Sequence, residues 1–168
     1  KADGSVEGLV IVPTRELAMQ VSDELFRFGQ KSGLKTATVY GGTPYGKQIE
    51  RIKQASIVVA TPGRLQGLLM SGKIKINPQF VVLDEADEML NMGFQEDITT
   101  ILDHTPTDKR VWLFSATMPR AVSGIARKYM HAPREVIIGK KNSGAENIRH
   151  IYFVVKEKNR YPALKRII

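Results

Sequence analysis

The sequence contains no cysteine in its 168 residues, which excludes disulfides and cysteine-based zinc sites. That absence is compatible with a cytoplasmic setting, or a nuclear one. No apolar run approaches the roughly 18 residues that a membrane-spanning helix requires, so no membrane partner is expected. The opening Lys1-Ala2-Asp3-Gly4-Ser5 is polar, lacks methionine and does not resemble a secretory signal. It reads as the interior of a longer protein. Internal repeats and low-complexity tracts are absent. His104, His131 and His150 are scattered, which points to surface or satisfied-core positions rather than to metal ligation.

What is present is an ordinary globular composition with a basic excess. Hydrophobic residues make up 42% of the chain, enough for a packed core and too many for disorder. A chain of this length buries about 70% of its unfolded surface in one domain. Twenty-five Lys and Arg against 17 Asp and Glu leave a net charge of +8. Such an excess favours a polyanionic partner through counterion release, and it equally suits a merely soluble basic surface.

Short apolar, β-branched runs alternate with stretches of helical period. The runs are Leu9–Val12, Thr36–Val39, Ile57–Ala60, Phe80–Leu83, Val111–Phe114 and Glu135–Ile138. Several are apolar at both parities, as expected of strands covered on both faces of a parallel sheet. Between them, Leu17/Val21/Leu25/Phe28, Leu65/Leu68/Leu69, Phe94/Ile98/Ile101/Leu102 and Val122/Ile125/Ala126/Tyr129 recur at steps of three and four. The alternation predicts an α/β fold, a mostly parallel sheet with helices on both faces. Residues 140–148 are polar and glycine-containing and read as a linker. Arg149–Val155 then reads as a new strand and Tyr161–Ile168 as a helix, so residues 1–139 form one domain and 149–168 open a second.

Five polar clusters each follow a strand directly. They are Pro13-Thr14-Arg15-Glu16, Tyr40-Gly41-Gly42, Thr61-Pro62-Gly63-Arg64, Asp84-Glu85-Ala86-Asp87 and Ser115-Ala116-Thr117. If the strands are parallel, all five emerge at the carboxyl edge, where open α/β sheets bind ligands. Any one of them could be a helix cap or a turn, with Thr14, Thr61 and Thr117 as N-caps. Five together strain that explanation.

Asp84, Glu85 and Asp87 place three carboxylates within four residues, an arrangement that a hard cation or hydrogen bonds must offset. Mg²⁺ takes one or two carboxylates and fills its remaining positions with water and phosphate oxygens. Asp84 at the strand end suits that role through water, and Glu85 suits orienting or deprotonating an attacking water. Asp87, one turn on, is placed to bond a neighbouring loop. An acidic helix N-terminus accounts for Glu85 and Asp87 about as well. Ser115 and Thr117 suit a link to Asp87, because no histidine lies nearby to activate a serine. Pro119 also makes Thr117 a credible N-cap. Thr14, Arg15, Gly41, Gly42, Thr61, Gly63 and Arg64 offer hydroxyls, guanidinium groups and backbone amides, the groups that hold nucleic-acid phosphates and sugars. Tyr40 is the one aromatic among them, so base stacking is not indicated. Trp112 and the methionines, Met89 and Met92 included, read as packing.

Together these residues, in this order and spacing, resemble the DEAD-box RNA helicases, from about Gly8 to the end of the chain. The resemblance implies a RecA-like lobe that uses ATP and Mg²⁺ and couples ATP hydrolysis to RNA unwinding or RNP remodelling. It implies that Asp84 holds Mg²⁺ through water and that Glu85 positions the hydrolytic water. Asp87 would join Ser115 and Thr117 to couple hydrolysis to unwinding. Pro13, Thr14, Arg15, Gly41, Gly42, Thr61, Gly63 and Arg64 would line the RNA backbone. One departure is plain: no G-x-x-x-x-G-K followed by Ser or Thr occurs in the sequence. The chain is therefore expected to be a fragment, inactive alone as an ATPase, with a second helicase lobe as partner. In such a lobe the strand leading into the phosphate loop lies beside the one that ends at Ser115. The resulting gap is expected to be closed by pairing of Val111–Phe114 with Glu135–Ile138, by an added chain, or by a second copy in a dimer. Competing readings are an RNA-binding module without catalysis, a Mg²⁺-dependent nuclease or phosphatase, and a DNA-directed helicase.

Overall fold

The computed structural model describes residues 5–138 and 151–167. Five short strands form one sheet in the order β2-β3-β1-β4-β5. They are β1 (Gly8–Ile11), β2 (Thr36–Val39), β3 (Ile57–Ala60), β4 (Phe80–Leu83) and β5 (Arg110–Leu113). Every pairing is parallel, and Ile11, Ala60 and Leu83 stand level, as do Val39 with Ala60 and Leu83 with Leu113. The expected α/β architecture is therefore present, with strand limits within a residue of the apolar runs. Helices α1 (Arg15–Gly29), α2 (Tyr45–Lys53), α3 (Pro62–Met70), α4 (Ala86–Asn91), α5 (Gln95–Asp103) and α6 (Arg120–Tyr129) fill the connections.

Strand pleating sends alternate side chains to opposite faces, and both faces of β1 and β3 are apolar for that reason. Leu9, Ile11, Val58, Ala60, Val81 and Leu83 enter the main core with Leu65, Leu68, Met89, Ile98 and Ile101. Val12 and Val59 pack with Ala18 of α1 in a second, smaller cluster. The buried positions of α1 are Ala18, Ser22 and Gly29, whereas Phe28 is 84% exposed. Small residues let this helix lie close on the sheet. Ser22 bonds the hydroxyls of Thr36 and Thr38, which a step-counting of large apolar residues overlooks.

Three expectations are corrected. Glu135–Ile138 forms no strand, and Val136 and Ile138 are 86% and 97% exposed. β5 consequently does not pair with it, and on its other side β5 has no ladder partner among the described residues. An isolated extended segment gains too little from its own apolar residues to hold itself in register. Residues 151–155 likewise carry no strand, and the earlier part of Arg149–Val155 lies outside the described residues, as does the expected 140–148 linker. The exposed Trp112, in edge-to-face contact with Phe80 at 6.3 Å, is not packing within the core.

The molecule divides into two compact units, Lys1–Ile137 and Ile138–Ile168. In the second, a turn of 3-10 helix (Glu157–Asn159) leads into α7 (Arg160–Ile167).

Candidate functional site at the carboxyl edge

Parallel, level strands bring all five polar clusters to one edge of the sheet. Three local assemblies result. At the β4–β5 end, the backbone first joins the two loops, the Ala86 amide donating to the Phe114 carbonyl at 3.0 Å. The Asp87 side chain then accepts from the Thr117 amide at 2.8 Å and from the Thr117 hydroxyl at 2.6 Å. The Ser115 hydroxyl accepts from the Asp87 amide at 3.2 Å and donates to the Thr117 carbonyl at 2.6 Å. Partial burial works to raise the Asp87 pKa, but the hydrogen bonds from Thr117 and Ser115 outweigh it and hold the carboxyl below its ordinary value. Thr117 is therefore an Asp87 ligand and not an N-cap. Helix α6 starts at Arg120 behind Pro119, whose ring has no amide to satisfy.

Asp84 and Glu85 stand apart from this link. Asp84 donates its amide to the Ile11 carbonyl, and its Oδ1 accepts from the Glu85 amide at 3.0 Å. Glu85 is exposed and left-handed, with φ 51° and ψ 49°, a conformation that costs a residue with a Cβ on the order of 1 kcal/mol or more. With Asp87 occupied by Thr117, the carboxylates still offered to a cation are Asp84 and Glu85. Among the described residues no three acidic or histidine side chains converge on one point. That donor set fits Mg²⁺ held chiefly by water and a ligand's phosphate oxygens, and does not fit an all-protein cage.

The second assembly is a groove of about 340 Å³ lined by Pro13, Thr14, Arg15, Glu16, Gly41, Thr61, Met92 and Phe94. Thr14 caps α1, accepting from the Leu17 amide at 3.2 Å. Arg15 Nη1 donates to the Gly41 carbonyl at 3.4 Å. Gly42 has φ +89°, a backbone conformation that calls for glycine, and a Cβ there would stand 3.0 Å from Arg15 Nη1. Thr61 occupies the N-cap position of α3 without a side-chain cap bond. Met92 and Phe94 enter the groove from the α4–α5 connection. Phe94, in the helical period, also packs against the core as expected, whereas of the two methionines read as packing Met89 is core and Met92 is 48% exposed.

The third assembly surrounds Arg64. Its Nη1 donates to the Thr43 carbonyl at 2.7 Å and lies 3.5 Å from Gln48 Oε1. Its guanidinium sits 4.2 Å from the centroid of the Tyr45 ring. Gly63, one residue earlier, lies close to the Phe94 ring and the Asp97 carboxylate, about 4 Å from where its Cβ would stand. Thr43, Tyr45 and Gln48 escaped the sequence reading, which marks Met92 and Phe94 only as packing residues. The available signal was Gln48, a polar side chain at a core-facing helical position. Elsewhere His104 is occupied by its own helix, its Nδ1 2.8 Å from the Thr100 carbonyl; His150 lies outside the described residues. Among the described residues, no helix is long and apolar enough to cross a membrane.

Known proteins share this sequence and fold. The family model for the DEAD/DEAH box helicase matches residues 1–125. The chain is 45% identical over 168 residues to the DEAD-box ATP-dependent RNA helicase CshA of Streptococcus pneumoniae, covering 99% of this chain and 32% of that protein. It is 44% identical to the DEAD-box ATP-dependent RNA helicase RhpA of Helicobacter pylori, covering 100% of this chain and 35% of the relative. The chain thus spans about a third of the length of these curated relatives. Among solved structures, a DEAD box protein from the hyperthermophile Methanococcus jannaschii superposes with a TM-score of 0.77 at 40% identity. That match covers 99% of this chain and 45% of the other.

Proposed function

Because the chain belongs to the DEAD/DEAH box helicase family and has its RecA-like α/β fold, we propose that it is part of an ATP-dependent RNA helicase. In this reading it supplies the water-handling and RNA-backbone residues of the first lobe, and residues 149–168 begin the second. The observation that supports it best is the bridge from Asp87 to Thr117 and Ser115, set beside a groove of hydroxyls, guanidinium groups and glycines on one sheet edge.

The chemistry assigned to each residue follows from its surroundings. Glu85 is exposed at the strand's carboxyl end, in a left-handed backbone conformation, so its carboxylate is available to accept a proton from, or orient, an attacking water. Asp84 would hold Mg²⁺ through water; when bound, that ion neutralises charge on the phosphate oxygens of ATP. Asp87 has its charge satisfied by Thr117 and takes no part in proton transfer. It ties the loop after β4 to the loop after β5, so that a shift at one is felt at the other. Pro13, Thr14, Arg15, Gly41, Gly42, Thr61, Gly63 and Arg64 contact the RNA backbone rather than its bases.

The 168 residues hold no phosphate loop, and we infer that by themselves they bind RNA without hydrolysing ATP. RNA, a second helicase lobe and ATP with Mg²⁺ are then the partners of the full-length protein. The deciding measurement is RNA-stimulated ATPase activity of the full-length protein, with Glu85→Gln beside it. Stimulated hydrolysis that is lost in the variant is expected. Hydrolysis that survives the substitution rules Glu85 out as the water-handling residue.

A further inference from the structure

The geometry points to Gln48 as a positioning residue that joins the Gly41–Gly42 loop and Arg64 into one phosphate-binding unit. This rests on the RNA-backbone reading of the same residues and adds the group that sets their shape. Gln48 lies on α2 and is 4% exposed. A carboxamide so placed is costly unless its hydrogen bonds are made. Its Nε2 donates to the Tyr40 carbonyl at 2.8 Å and also to the Thr43 hydroxyl. Its Oε1 faces Arg64 Nη1 at 3.5 Å, and the same nitrogen donates to the Thr43 carbonyl at 2.7 Å. One buried side chain thus touches both ends of the glycine loop and the guanidinium that follows β3.

The consequence is directional. In a trans peptide the carbonyl and the next amide point opposite ways. Drawing the Tyr40 carbonyl inward to Gln48 therefore turns the Gly41 amide to the other side, the orientation an anion-binding loop needs. Two consecutive glycines have no side chains of their own with which to hold that orientation. Arg64, for its part, is stacked over Tyr45 at 4.2 Å while Nη1 is committed to the loop. Its head is consequently fixed in direction before any phosphate arrives. Two clusters that are about 20 residues apart in sequence present themselves as one rigid surface.

The test is a double-mutant cycle read by fluorescence anisotropy of a labelled oligouridine with the 168-residue chain, titrated with salt. Gln48→Leu is expected to weaken binding about tenfold and to make the salt slope shallower by about 0.7 for each phosphate that is no longer neutralised. In an Arg64→Ala background the same change is expected to cost clearly less than in the wild type, because one of the two groups it positions is gone and only the glycine loop remains to be disturbed. An equal loss in both backgrounds would mean that Gln48 only supports the fold, and would overturn the inference. So would wild-type affinity in Gln48→Leu alongside weakened Arg64→Ala. If circular dichroism shows Gln48→Leu unfolded, Gln48→Glu runs the same cycle, since it keeps the volume and loses the donor to Tyr40. Unchanged affinity in Arg64→Ala, or no salt-dependent binding by the chain itself, strikes the RNA-backbone reading first and this inference with it.

Discussion

At the residue scale, Glu85 and Asp87 are near neighbours under different physical constraints. Glu85 keeps a side chain in a backbone region that glycine occupies without strain. Glu85→Gly is therefore expected to raise the stability of the chain by about 1 kcal/mol relative to Glu85→Ala, measured by urea unfolding. If alanine equals glycine there, the left-handed conformation stores no strain and its retention needs another cause. For Asp87 the carboxyl is held below its ordinary pKa, so its bonds to Thr117 favour the folded state above the unfolded pKa. That contribution disappears as pH falls through the lower, folded value. Asp87→Asn should consequently flatten the fall of Tm across roughly pH 5 to 2. The flattening should be incomplete, because Asp103, bonded by Tyr129, is also lowered. An unchanged Tm profile would show that the Asp87 bridge does not persist in solution.

At the element scale, helix α1 serves the sheet and the site at once. Its cap is Thr14, which also lines the groove. Thr14→Ala is expected to lose about 1 kcal/mol of stability through the cap alone. Thr14→Asn keeps a capping oxygen and should restore stability without restoring whatever contact the threonine makes to RNA. Thermal unfolding and RNA anisotropy on both variants separate the two roles; RNA affinity that follows stability in both would leave Thr14 as a cap only. The face of α1 was harder to read. Of the large residues at three- and four-residue steps, Leu17, Val21 and Leu25 do pack on the sheet-side cluster and Phe28 does not. Close approach to the sheet selects Ala18, Ser22 and Gly29 as the buried positions.

At the scale of the whole molecule, α1 covers only part of its side of the sheet. Val10, Val82 and Trp112 share that side by register. There Val10 packs with the α1 cluster, while Phe80, Trp112 and Phe114 are 39%, 55% and 54% exposed. An exposed aromatic face beside a strand edge favours association. The 168-residue chain is expected to self-associate at micromolar to millimolar concentration, and Trp112→Lys to reduce this in sedimentation velocity. A monomer at all concentrations would remove the second copy as the means of closing the gap.

Sequence alone determined the α/β alternation, because strands buried on both faces must be apolar at both parities. It also determined the order of the five polar clusters and their place after strands. It carried the pairing of Asp87 with Ser115 and Thr117 as an expectation, since hydroxyls and a carboxylate on neighbouring strand ends have few other partners. Only the tertiary structure decided which side chains meet across loops. Gln48 reaches Tyr40 and Arg64, and Met92 and Phe94 line one groove with Thr14 and Thr61, through packing that no local period encodes. Glu135–Ile138 shows the same limit from the other side. Its apolar residues satisfied the pattern of a strand, but a strand exists only where a neighbouring backbone accepts its hydrogen bonds.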